Sequence, residues 1–301
     1  MASSSSNSRQ RLSEYREREL AELAEGVIEI HCVGTSIDPE AIIRKKNIDL
    51  FYDHYEDAFD GMLEVEDGCF FIHCNLDREN IPGSRRARFT LAHELGHYFI
   101  DEHRNNLLSG EVRPHPSGTD ERAPDLLVER EADFFASRLL MPESRFRSAS
   151  RRAGAGLVSI KDISAKFDVS LTCAAIRCLS AEVFPSVLIK WSQGGFCWKW
   201  CSPSFWQFGY RRTVQAFDAL PRQCATLECR DGGAAPDTVF ERTITAAYMF
   251  PGIYERSFRN IPLREEAISL GRFGYLTLLT LREPFPKEVI AARTRELGFD
   301  E

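Results

Sequence analysis

His93 and His97 stand four residues apart in a stretch, residues 89–100, that reads as a helix, and this spacing constrains the chain more than any other feature. At that interval both imidazoles project from one face and can share a cation, while Glu94 between them can address water on that cation. Thr90 is the expected N-cap of this helix. A zinc ion held by three protein side chains keeps a fourth position for water and lowers that water's pKa to about 7. Glu94 would take the proton and deliver it to the leaving amine. The pattern therefore calls for a third ligand from elsewhere in the chain.

Three residues compete for that role, His103, Glu129 and Glu131, with His115 a distant fourth. His103 has the spacing of a three-histidine class of zinc peptidase, but Ile100 stands where that class has the glycine that lets the helix turn back. A second helix is expected over residues 126–140, stopped by Met141-Pro142 because the residue before proline avoids the helical region. On it Glu129, Ala132, Asp133, Ala136 and Leu140 share one stripe, mostly small or apolar, whose two acids need a partner. A metal satisfies Glu129 directly, and Asp133, one turn on, can orient a ligand histidine. Glu131 groups with Phe134, Phe135 and Arg138 and reads as salt-bridged or solvated, the reserve ligand.

The rest of the chain reads as two folded units, the prior for 301 residues. Residues 1–11, rich in serine, are expected to be disordered; 12–145 form the metal-binding domain; 146–181 hold two short helices; 182–301 form a second domain built on strands. Within the first domain a small antiparallel sheet is expected over residues 47–75, with a hairpin turn at Asp67-Gly68. Residues 104–125, full of Gly, Pro, Ser and Asn, read as a long loop. No stretch approaches the roughly 18 apolar residues of a membrane span, and the N-terminus lacks the apolar core of a secretion signal, so the cytoplasm is the expected address and no membrane partner is expected. Nine scattered cysteines suit free thiols in a reducing compartment.

Other features have plain readings that outweigh sharper ones. The formal charge of −7 argues against broad nucleic-acid binding. The helix pair within residues 163–179 has helix-turn-helix character, but Arg177 is the only basic residue its second helix would present to DNA, so packing of both helices on the core of the metal-binding domain is expected instead. Arg85, Arg86 and Arg88 could greet an acidic substrate but read as solvated surface. The aromatic run from Phe196 through Trp198, Trp200, Phe205, Trp206, Phe208 and Tyr210 reads as core rather than a ligand pocket. Cys197, Cys201, Cys224 and Cys229 lack the spacing of a zinc ribbon.

RFTLAHELGHYFI from Arg88, followed by EREADFFASRLLMP from Glu129, resembles the ImmA/IrrE group of zinc peptidases. The similarity extends upstream through DPEAIIRKKNIDLFYD and GMLEVEDG and downstream through ISAKFDVSLTCAAIRCL, covering residues 37–180. It implies an α+β fold: a zincin-like domain with helix-turn-helix-like helices, then a mixed α/β C-terminal domain of GAF-like sensor type, as in radiation-response relatives. It also implies His93, His97 and Glu129 as ligands of Zn2+, with Mn2+ an activating substitute, and Glu94 as general base. The implied activity is regulatory cleavage of a helix-turn-helix repressor in a stress or mobile-element response. The alternative is a non-catalytic regulator that binds DNA or a repressor through the same fold. Asp133 departs from the asparagine of many relatives, although some other gluzincins use aspartate there.

Overall fold

Three short strands, β1 (Asp49–Asp53), β2 (Gly61–Glu66) and β3 (Cys69–Asn75), carry the N-terminal sheet. The structure is a computed structural model and describes residues 12–31, 37–110, 116–117, 126–206, 213–214, 216–232, 237–251 and 259–281. The expected disordered segment, residues 1–11, lies outside them. Asp67 and Gly68 both take positive φ, 49° and 78°, and supply the tight turn that joins β2 and β3 as an antiparallel hairpin.

β1 pairs with β3 in parallel, Phe51 opposite His73, which corrects the expected all-antiparallel sheet. Asn75 is the reason. Its amide donates to the carbonyls of Glu56 (2.8 Å) and Phe59 (2.7 Å) and accepts from the Tyr55 N–H (3.1 Å). These bonds fold residues 54–60 back onto the end of β3. The chain thus reverses twice, and β1 lies beside β3 rather than β2. A two-residue strand, β4 (Pro116–Ser117), pairs with the start of β2, giving the order β1-β3-β2-β4.

Helices pack on this sheet and on one another. α1 (Glu14–His31) buries Leu20, Ala24, Val27 and Ile28, one stripe at helical spacing. α2 (Pro39–Lys45) starts where Asp38 accepts from the Glu40 N–H at 3.0 Å, with Pro39 in the first turn. α3 (Arg85–Phe99) begins earlier than Thr90 suggests. Ser84 is its cap, accepting from the Ala87 N–H at 3.1 Å, and Thr90 instead lies inside the helix and donates to Asn80 Oδ1 at 2.8 Å.

The helical chain breaks at Ile100, whose backbone is extended, and resumes at once as α4 (Asp101–Leu108). The loop expected from Arg104 is therefore helical as far as Leu108. Asp101 and Glu102 complement the dipole in its first turn. Residues 111–115 and 118–125 of that expected loop lie outside the described ones. α5 (Leu126–Leu140) has the expected bounds and stops ahead of Pro142, after which α6 (Glu143–Ser150) begins. Among the described residues no helix is long and apolar enough to cross a membrane.

α7 (Leu157–Phe167) and α8 (Leu171–Ser180) meet at Asp168, which takes φ 51° to close the turn. The chain divides into two compact units, 1–148 with 167–170 and 149–166 with 171–301. Most of the helix pair thus goes with the C-terminal unit, where the sequence placed a boundary near residue 182. The second unit is a five-stranded antiparallel sheet of β5 (Ser186–Ser192), β6 (Gly195–Cys201), β7 (Val239–Thr245), β8 (Pro262–Ser269) and β9 (Tyr275–Leu281), ordered β6-β5-β9-β8-β7. α8 buries Ala174, Ala175, Cys178 and Leu179 and packs on β5 and β6, with Arg177 also buried. That burial removes the one basic side chain a DNA contact through α8 would have used.

β8 explains how the unit is pinned. Glu265 and Glu266 are both buried, and successive residues of a strand face opposite ways. Glu265 accepts from the N–H groups of Ala225 (2.8 Å) and Thr226 (3.1 Å), at the start of a short helix, residues 225–231, and from Thr226 Oγ1 (2.6 Å). Glu266 accepts from the Leu157 N–H (3.2 Å) at the start of α7 and pairs with Arg264. Each carboxylate thus satisfies a helix N-terminus that would otherwise be left unpaired in the interior.

Two members of the aromatic run join this core, whereas Trp198 and Trp200 are half-buried: Phe196 meets Trp191 edge-on at 6.2 Å, Trp191 in turn stacks on Phe217 at 5.2 Å, and Phe205 is fully buried. Phe208 and Tyr210 lie outside the described residues.

Cysteine chemistry follows burial. Cys69 and Cys197 are exposed, whereas Cys74, Cys178, Cys201, Cys224 and Cys229 are buried free thiols. Burial pushes Cys178 and Cys224 up to about 12 and Cys229 up to about 11, away from the thiolate form that alkylation and zinc both need. Iodoacetamide at pH 8 is therefore expected to modify Cys69 and Cys197 in the native protein and Cys178 and Cys224 only after unfolding, as read by peptide mass mapping. Equal native labelling of Cys224 and Cys197 would contradict the packing.

Candidate metal centre

The site is made where α3 and α5 pack together. Gly96 permits it: a Cβ there would stand 3.1 Å from the Ala132 Cα and 3.3 Å from its carbonyl oxygen. Ala132 and Ala136, small residues of the stripe read from the sequence, are both fully buried. Gly96 was the missing half. Its signal is its place one turn before Ile100 on the face shared with His93 and His97. Gly96→Val is expected to force the helices apart and cost about 1–3 kcal/mol. For a unit of this size each kcal/mol lowers Tm by about 2–4 °C. An unchanged melting curve would contradict the close approach.

Across that contact His93, His97 and Glu129 converge, with one potential ligand atom from each lying within 4.8 Å of the other two. The two Nε2 atoms are 3.0 Å apart, and the Glu129 carboxylate reaches His93 Nε2 at 3.2 Å and His97 Nε2 at 3.5 Å. Both imidazoles are buried, 5% and 4% exposed. Asp133, one turn beyond Glu129, stands 3.0 Å from His93 Nδ1. A carboxylate only accepts, so Nδ1 donates to it, and in the neutral ring the Nε2 lone pair is then directed at His97 and Glu129.

Electrostatics favour a cation here. Burial works against a charge on His93, but the hydrogen bonds to Asp133 and Glu129 outweigh it and hold the ring's affinity for a proton well above the ordinary histidine range. Two imidazole nitrogens and a carboxylate oxygen, one imidazole oriented from behind by an acid, are a donor set that fits a divalent transition ion. Among the described residues this is the group of histidine, cysteine and acidic side chains that could hold one, and Cys197, Cys201, Cys224 and Cys229 form no second such group.

Glu94 is fully buried beside the three. Its carboxylate lies against Gly61 at the start of β2, where a Cβ would come within 2.7 Å of Glu94 Oε1 and 2.5 Å of Thr90 Cγ2. The glycine makes room for the acid beneath the strand. Sequence reasoning gave Gly61 no role, since nothing local shows which strand will cross the helix.

The rival candidates are engaged with other partners. Glu131 is buried but bound by Arg16 and His103, and His103 Nε2 faces Glu131 Oε2 at 2.9 Å instead of the imidazoles of His93 and His97. His115 lies outside the described residues. The arginines ahead of α3 are engaged: Arg85 and Arg88 with Asp168, at 3.0 and 3.3 Å, and Arg86 with Asp60 at 2.8 Å.

Residues 82–179 match the model of the IrrE N-terminal-like domain. That span, about a third of the chain, is similar to an IrrE N-terminal-like domain. The matched family is one of metallopeptidases, and the span of this IrrE-like domain runs from the loop before α3 through α8, so it includes both site helices and leaves β1 to β3 outside. A solved structure of a Mycobacterium tuberculosis transcriptional regulator shares the fold, with a TM-score of 0.55, 13% identity, and 94% of this chain and 81% of that one covered. No curated protein gives a significant match.

Proposed function

We propose that the IrrE-like domain is a zinc-dependent endopeptidase, with His93, His97 and Glu129 as ligands, Asp133 orienting His93, and Glu94 as general base. The observation that carries this reading is the convergence of three donor groups from two helices, with the other nitrogen of His93 held by Asp133. When bound, zinc supplies Lewis acidity toward a peptide carbonyl and toward water, and manganese is a substitute of the same charge.

The chain's own residues then account for the proton. Glu94 accepts it from the attacking water as the water oxygen bonds to the carbonyl carbon, and returns it to the amide nitrogen as the C–N bond breaks. Burial of Glu94 under Gly61 keeps bulk water from competing for that proton. The products are a carboxylate and an amine.

The proposed substrate is a helix-turn-helix repressor, cut in a stress or mobile-element response in the cytoplasm. The C-terminal sheet unit is proposed as a GAF-like sensor or partner-binding module; its single antiparallel sheet with helices packed on it is compatible with that role. The test is incubation of the protein with candidate repressors and zinc or manganese, followed by mass spectrometry. Cleavage abolished by a chelator and restored by the ion supports the reading. Repressors bound but left intact in every case would point to a non-catalytic regulator instead.

A further inference from the structure

Arg16, on α1, lies far upstream of the segment that matches the IrrE-like domain, yet it reaches the helix that carries Glu129. Its guanidinium grips Glu131 with a two-pronged contact, Nε to Oε1 and Nη2 to Oε2, both at 2.8 Å. Two weaker contacts to Glu102, at 3.3 Å, and one to Glu19, at 2.7 Å, hold the fork in place. Glu131 also accepts from His103 Nε2, and the His103 ring packs against His97 with centroids 5.2 Å apart. Arg16, Glu131 and His103 thus tie α1, α5 and α4 together beside the metal centre.

We infer that Arg16 is a positioning residue for the metal centre, acting on it through Glu131 and His103; the inference rests on the reading of His93, His97 and Glu129 as ligands. Two routes lead from Arg16 to a ligand. Glu131 and Glu129 are two residues apart on one helix and so about 200° apart around its axis. A fork that fixes Glu131 in two directions therefore fixes the rotation of α5 and with it the aim of Glu129. The second route runs from Glu131 to His103 and from the His103 ring to His97. A lysine keeps the charge of Arg16 but cannot present two parallel donors in a rigid plane.

The test is titration of the metal-free protein with cobalt, reading affinity by chelator competition and ligand geometry by the visible absorption band. Arg16→Lys is expected to weaken cobalt binding by about 10–100-fold, the usual effect of losing a group that orients a ligand, and to alter the band. Arg18→Lys, an exposed arginine on the same helix, is expected to match the wild type. Affinity and band both unchanged in Arg16→Lys would overturn the inference, whether or not the melting temperature falls, because a merely structural contact would move only the latter. Should Arg16→Lys not fold, Glu131→Gln carries the same expectation and the same contradicting result. A wild type that takes up no cobalt would overturn the ligand reading itself, and the inference with it.

Discussion

Glu94→Gln is expected to slow peptide cleavage by about 10²–10⁴-fold, the range for loss of a positioned general base. Glutamine matches glutamate in shape, so the buried pocket against Gly61 and Thr90 remains filled and the fold is retained. What it lacks is a site for the proton, since an amide oxygen is far too weak a base. Metal affinity should change little, because Glu94 is not among the three converging donors. The measurement is the cleavage rate of a repressor fragment alongside the metal content of each protein. Equal rates in the two proteins, at equal metal content, would remove Glu94 from the mechanism.

The second large effect is on the metal itself. Glu129→Ala is expected to weaken zinc binding by more than about 100-fold, since losing a group that merely orients a ligand already costs about 10–100-fold. The two imidazoles would remain, 3.0 Å apart, with no carboxylate to complete the set. Glu131 cannot take over without breaking its contacts with Arg16 and His103. Chelator competition checks this. A Glu129→Ala protein that binds zinc as tightly as the wild type would mean that the third ligand comes from another residue.

Much of this site was legible in the sequence because its logic is local. A four-residue spacing puts His93 and His97 on one face, and a stripe of small residues with two acids marks the face of α5 that must meet them. Asp133 follows from the same stripe, and it lies 3.0 Å from His93. The bounds of α5 were readable because Pro142 forbids its continuation.

What escaped the sequence was set by contacts between distant segments. β1 lies parallel to β3 because Asn75 holds a loop some twenty residues upstream, an effect with no local signature. β8 was hidden by Arg264, Glu265 and Glu266, charges that a buried central strand normally excludes; each carboxylate accepts from a helix N-terminus in another part of the chain. Gly61, Gly96 and Arg16 each act on a partner at least thirty positions away. Thr90 looked like a cap because its type suits one, yet Ser84 is the residue with the extended backbone that a cap requires.

Whether α3 and α5 jointly grip one ion is best read from zinc K-edge X-ray absorption of the loaded protein. The spectrum should show one zinc per chain, a first shell of nitrogen and oxygen near about 2.0–2.2 Å, and outer scattering from two imidazoles. Sulfur at about 2.3 Å, or the absence of imidazole scattering, would contradict the account and move the metal to the cysteines.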